Sequence, residues 1–328
     1  MATALIDADI IAYRAAAVAQ SEIEWEDGEE GPTLSKQQAL EAAEYQVKEW
    51  REGAKCKKAI LCFTESRSSN FRKEVFPDYK ANRKGDPPAL LKDVIDHLKN
   101  TFEWYSVARL EADDVMSIFS TSEFVRNAII VSIDKDMKTV PSMIFNPDKD
   151  RAPWRNRQAQ ADRYWMTQVL TGDSTDGYPG IPGIGPKKAE KILAECPGNN
   201  LSHLWSTVVS AYIDAGLTED DAITQARLAR ILRAEDYHKD TLEISLWHPT
   251  NPSMMSIAPT TTPKEEELSL SSSSRATTSA TRKETSSSTS SDTEKKEGRK
   301  TSKKRRTTSD DSPKKRARRK SNSVSIIQ

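Results

Sequence analysis

The sequence predicts an α/β fold: a parallel sheet flanked by helices, then a helical region, then a disordered C-terminal tail. Short apolar runs rich in Ile and Val alternate with helical patterns, as parallel strands joined by crossover helices do. Several of those runs end at or beside an acidic residue. A Gly- and Pro-rich turn then opens a purely helical stretch, and from about residue 250 the composition shifts to Ser, Thr, Lys, Arg and Glu.

TALIDA at 3–8 reads as a buried strand, as do AILCF at 59–63 and AIIVSI at 128–133. Helical periodicity covers 35–52, 88–101 and 111–124, then 157–171, 186–195, 201–215 and 219–235. The expected division is an α/β domain over 1–150, a helical region over 151–250 and a tail over 251–328. The tail holds too few apolar residues to offset the entropy of ordering it. ATALIDADIIAYRAAAVA has the length of a signal peptide, but Asp7 and Asp9 interrupt it and no basic region precedes it. No apolar run approaches the roughly 20 residues of a membrane span, so a soluble chain with no membrane partner is expected.

The net charge of zero averages two unlike segments. Residues 259–328 hold 18 of the 49 Lys and Arg but 9 of the 49 Asp and Glu, leaving 31 basic and 40 acidic residues in 1–258. Cys56, Cys62 and Cys196 form no Cys-x-x-Cys pair and suit a reducing, intracellular compartment. The four histidines are scattered and make no zinc motif.

Five acidic clusters stand out: Asp7, Glu65 and Asp134 with Asp136 at or near strand ends, the group Glu111, Asp113 and Asp114, and the pair Asp173 and Asp176. Oxygen ligands in such a set suit hard divalent cations, and two such ions support phosphodiester hydrolysis. Singly, each acid could instead cap a turn or helix, and Glu-x-Asp-Asp is a good helix start. Repetition at equivalent places in the topology favours metal binding by the set.

Two further segments carry chemistry. Gly180, Gly183 and Gly185 precede Pro186 and the basic residues Lys187, Lys188 and Lys191. A glycine turn before a helix exposes N–H groups that bind phosphate, although a purely structural helix–turn–helix is the alternative. Upstream, Arg67, Arg72, Lys73, Lys80, Arg83 and Lys84 interleave with Phe71, Phe76 and Tyr79. Basic groups there meet phosphates and the aromatics offer stacking faces, unless the stretch is an ordinary solvated helix.

In order, LIDADIIAYR, FRKEVFPDYKANR, LEADD, VSIDKD and GDSTDGYPGIPGIGPKKA resemble the flap endonuclease superfamily of 5′ nucleases. Within it the chain looks most similar to phage-encoded 5′–3′ exonucleases and to the 5′-nuclease domain of bacterial DNA polymerase I. The resemblance spans residue 3 to about 196. It implies a PIN-like α/β domain, a helix–three-turn–helix element and two-metal cleavage of DNA with Mg2+ or Mn2+. It also implies that Asp7, Glu65, Glu111, Asp113 and Asp114 form one metal group and Asp134, Asp136, Asp173 and Asp176 the other. Lys80 and Arg83 match residues over the scissile phosphate, Tyr79 the neighbouring aromatic, and Arg14 and Arg72 phosphate contacts. The turn from Gly180 to Gly185 would grip duplex backbone with a K+ ion. DNA with a 5′ end or 5′ flap is the implied partner, with RNA of RNA–DNA hybrids beside it, and a monomer is expected.

Glu65 stands where the family usually has Asp, and Asp9, where it usually has a neutral residue, is left outside the set. A catalytically impaired DNA-binding protein and a PIN-type ribonuclease are the other readings. The near-complete acid set opposes the first and the glycine turn the second. KKRR (303–306) and PKKRARRK (313–320) suit a nuclear import signal in a eukaryotic host or a tether to nucleic acid, against a merely solvated extension. Otherwise the cytoplasm of a bacterium or phage-infected cell is expected.

Overall fold

A computed structural model describes residues 2–20, 35–66, 68–194, 196 and 200–250, which belong to a single compact unit. Arg67 and the whole tail, with its expected disorder and basic clusters, lie outside the described residues. In chain order the α/β part runs β1 (Thr3–Asp7), α1 (Ala8–Gln20), α2 (Lys36–Gly53), β2 (Lys58–Cys62), α3 (Arg72–Val75), α4 (Leu91–Thr101), β3 (Trp104–Tyr105), α5 (Ala112–Thr121), β4 (Ala128–Val131), β5 (Met143–Phe145) and β6 (Trp154–Arg155). The helical part is α6 (Gln158–Thr171), α7 (Pro186–Ala194), α8 (Leu201–Asp214) and α9 (Glu219–Ala229), followed by the hairpin β7 (Tyr237–His238) and β8 (Glu243–Ile244).

The sheet has six strands in the order β3-β2-β1-β4-β5-β6, parallel throughout except for β6 on the edge. Continuous apolar sequence puts β1 at its centre, because a central parallel strand is covered on both faces. Ala4 and Ile6 pack under α1, α2 and α4 with Ile11, Val47 and Leu98. Leu5, pointing the other way, packs with Val115 and Met116 of α5. Local signals start the helices: Ser35 and Gln38 form a capping box on α2, as Thr218 and Asp221 do on α9. A third core, built on Trp165, Leu204, Val208 and Ala226, joins the later helices, and Trp165 Nε1 donates to Ala226 O at 2.9 Å.

The expected α/β architecture is present, with differences in detail. The expected helix over 219–235 stops at Ala229. The chain then extends so that Arg230 reaches Asp236 and Arg233 reaches Asp162, both at 2.8 Å and buried. Strands β3, β5 and β6 were not anticipated, being two or three residues long, too short to show alternation. Helix α1 was not anticipated either, since its Ala-rich run carries little amphipathic pattern.

A close backbone contact lies between the end of α6 and the approach to α7. Gly172 and Gly180 both have positive φ (64° and 60°), and a Cβ on Gly180 would lie 2.2 Å from Gly172 N. Ile181 N donates to Leu170 O and Asp173 N to Tyr178 O, both at 2.9 Å. Gly183 also has positive φ but open space around it. Gly183→Ala is expected to cost about 1–2 kcal/mol from backbone conformation alone. Gly180→Ala must also displace main chain and is expected to cost at least about 3 kcal/mol in thermal unfolding.

Candidate active site

A cleft of about 470 Å³ opens at the carboxyl ends of β1 and β4. The chain leaves β1 for β2 on one side and leaves β4 for β5 on the other, and open α/β sheets bind ligands at such a reversal. Asp7, Asp9, Glu111, Asp113, Asp134, Asp136, Asp173 and Asp176 all line it. Asp7 ends β1, Asp113 lies in the first turn of α5, and Asp134 caps the 3-10 turn Lys135–Thr139 that follows β4.

These carboxylates fall into two electrostatic classes. Burial, then the charge of Asp9, push Asp7 up to about 7, against a 3.0 Å hydrogen bond from Ser132 Oγ. Burial and the neighbouring Asp134 push Asp136 up to about 8. Burial, then Asp7 and Asp134, hold Asp113 well above the carboxylate range. Burial also raises Asp134, although the Asp136 amide donates to it at 2.8 Å. No cation forms an ion pair with Asp7, Asp113, Asp134 or Asp136 among the described residues. Among the described residues no three of these side chains are already placed to hold one metal ion together.

The second class is neutralised. Lys80 Nζ lies 2.5 Å from Glu111 Oε1 and 3.6 Å from Asp176 Oδ2, and Arg83 Nη2 donates to Asp176 Oδ1 at 2.8 Å. Burial would lift Glu111, but Lys80 and Arg72 outweigh it and hold the carboxyl at about 2. Burial would likewise depress Lys80, but Glu111 and Asp176 raise it, so the ammonium stays charged. The Tyr79 hydroxyl, kept protonated by burial and the adjacent Glu111, lies 3.1 Å from Glu111 and 3.0 Å from Asp176. Lys80 takes φ of 58°, rare for a residue with a Cβ, and its N–H donates to Asp176 O at 2.8 Å. Asp173 is lowered against its burial by Lys135, whose ammonium sits 3.0 Å away.

Several expected roles need correction. Glu65 is exposed and outside the cleft, because Thr64 takes the inward position. Thr64 N donates to Asp9 Oδ2 at 3.0 Å, and Ala112 N donates to Thr64 Oγ1 at 3.1 Å. Asp9, left out of the expected set, therefore lines the site. Asp114 is fully buried and accepts from Arg72 Nη1 and Nη2 (both 2.7 Å), Leu232 N (3.0 Å) and Glu111 N (3.2 Å). These donors fill its oxygens and remove it from metal binding. Arg72 is buried with it and also donates to Leu228 O and Arg230 O, so it holds the protein together rather than a phosphate. Phe71 and the Tyr79 ring are core, not stacking platforms, although the Tyr79 hydroxyl reaches the cleft. Gly180 is buried with its N–H on Gln225 Oε1 at 2.9 Å, which takes it away from any ligand. Gly183, Gly185, Lys187, Lys188 and Lys191 are exposed together around the start of α7. Arg14 lines the cleft and pairs with Asp148 at 2.8 Å.

Residues 2–159 match the family model described as the 5′-3′ exonuclease N-terminal resolvase-like domain. The exonuclease of Escherichia phage T7 is 30% identical over 280 residues, spanning 75% of this chain and 93% of that protein. The chain belongs to the 5′–3′ exonuclease family. The exodeoxyribonuclease of Enterobacteria phage T3 is also 30% identical, over 75% of this chain and 92% of its own. In fold, this exonuclease resembles the flap endonuclease of bacteriophage T5, solved with DNA and metal ions. The TM-score is 0.52 at 18% identity, over 70% of this chain and 89% of that one.

Two outcomes follow from the electrostatics. Asp7 and Asp136 keep protons to about pH 7 and 8 in the fold but lose them near their ordinary 3.8 when unfolded. The unfolded state then binds fewer protons across that window, so stability falls as pH rises through it. Denaturant titrations in EDTA at about pH 5 and about pH 8 should show that loss, and Asp136→Asn should lessen it. Arg72→Ala strands Asp114 without its cation and is expected to cost about 3–5 kcal/mol in the same measurement.

Proposed function

We propose that this exonuclease hydrolyses DNA phosphodiester bonds at or near a 5′ end, in replication, repair or recombination, with two Mg2+ or Mn2+ ions held in the acidic cleft. One observation carries the reading: Asp7, Asp113, Asp134 and Asp136 crowd a cleft also lined by Lys80 and Arg83, and none of the four forms an ion pair with a described cation. Their oxygen donors fit hard cations, and Asp9 stands near enough to join them. When bound there, divalent cations lower the pKa of a water and offset charge on the leaving oxygen.

The chain's own groups supply the rest. Glu111 and Asp176 hold Lys80 and Arg83 in the cleft wall by ion pairs, where both can stabilise charge developing on phosphate. Tyr79 fixes both acids through one hydroxyl. The exposed N–H groups and lysines at the start of α7 suit duplex backbone, with K+ held by carbonyls of that turn. A monomer acting in the cytoplasm of a bacterium or infected cell completes the proposal.

The test is Mg2+-dependent cleavage of 5′-labelled blunt duplex, 5′-flap DNA and an RNA–DNA hybrid. EDTA should abolish cleavage and spare binding. Lys80→Ala and Asp134→Asn should each lower kcat by roughly 10²-fold or more. Full activity in either variant rules out the assigned roles.

A further inference from the structure

One face of α6 backs onto the acids of the cleft without lining it. Gln168, near its end, donates to Asp136 Oδ1 at 2.6 Å. Tyr164, one turn earlier, is half-buried beside Asp136, with the Lys138 ammonium 5.7 Å from its ring centre. Arg157, which caps the helix, continues this line roughly 16 Å from Gln168 at the helical rise of about 1.5 Å per residue. The turn from Gly183 to Gly185 lies beyond the other end of α6.

A second element runs alongside. Buried Asn156 donates through Nδ2 to Lys138 O and Val140 O, both at 2.8 Å, which fastens 155–157 to the turn that carries Lys138. Arg155 and Arg157 flank Asn156 and are exposed, as is Lys138. In a body with 40 acidic and 31 basic side chains, none of these three forms an ion pair with a described residue. Of the cations lining the cleft, Arg14, Arg72, Lys80 and Arg83 are paired with carboxylates, while Lys73 and Lys84 form no ion pair with a described residue.

We propose that Lys138, Arg155 and Arg157, with Tyr164, form a second nucleic-acid strip that binds sugar–phosphate backbone continuing past the cleft toward the start of α6. Unpaired cations beside an aromatic face suit phosphates and a splayed base without reading sequence. The strip adjoins the cleft at Asp136, which Gln168 bonds and Tyr164 stands beside, so it serves the same strand path rather than a separate ligand. The inference rests on the nuclease reading above and adds to it a preference for DNA that extends beyond the cut.

Fluorescence anisotropy on the full chain in EDTA tests this without cleavage. Two labelled DNAs are compared: a blunt duplex, and the same duplex with an adjoining upstream duplex at its 5′ end. The Lys138→Ala/Arg155→Ala/Arg157→Ala variant should bind the extended DNA roughly tenfold more weakly at about 0.1 M salt, with a salt slope shallower by about 2–3. It should bind the blunt duplex as the wild type does and melt at the same temperature. Unchanged affinity and slope on the extended DNA overturn the strip, including the case in which it serves an acidic protein instead. Lys187→Ala/Lys188→Ala separates the two readings. Weaker binding of both DNAs by that variant leaves the nuclease reading standing whatever the strip does, while unchanged binding of both counts against the nuclease reading itself.

Discussion

The buried pair of Arg72 and Asp114 is the constraint on which the site depends. Its 2.7 Å contacts join α3 to α5, and the Leu228, Arg230 and Leu232 backbone groups bonded to it bring in the segment after α9. Segments distant in sequence thus meet at one fully desolvated point. Asp114 also anchors Glu111 N, so the same carboxylate sets the start of α5 and hence the direction of Asp113. A buried pair of this kind adds little net stability, because desolvation offsets most of its attraction, but it specifies a single arrangement. Removing one partner is costly for the same reason.

The cleft is built from carboxylates in two conditions. Glu111 and Asp176 spend their charge on Lys80, Arg83 and Tyr79, which become fixed features of the wall. Asp7, Asp113, Asp134 and Asp136 form no ion pair with a described residue, and burial and their mutual repulsion raise all four above the ordinary carboxylate. An acidic body is therefore no obstacle to an anionic substrate. The repulsion is concentrated where cations can relieve it, and the sign of the local field reverses once they do.

Much of this was legible in the sequence because the strands are apolar and the acids follow them directly. TALID, AILC and AIIV announce buried strands, and VSIDKD and GDSTDG place their acids at the strand or helix ends that face the cleft. Direction was not legible. Asp113 and Asp114 are adjacent and alike on paper, yet the rotation between neighbouring helix positions sends one into the cleft and the other into the core. Glu65 and Thr64 differ in the same way, while the overlooked Asp9 lines the cleft beside Asp7. The ion pairs of Arg72, Arg230 and Arg233 span long stretches of chain and leave no local pattern, so a motif match assigned Arg72 to phosphate.

The contact between Gly172 and Gly180 has a consequence for how the enzyme measures its substrate. Asp173 and Asp176 follow the first glycine directly, while the exposed turn at Gly183 and Gly185 follows the second. With no side chain between them, the two main chains cannot slide past each other. For an enzyme working as proposed, the distance from the place where duplex is held to the place where it is cut becomes a fixed length of backbone. Such a nuclease carries its own ruler, and the register of its cuts is set by two hydrogen atoms where any other residue would have a side chain.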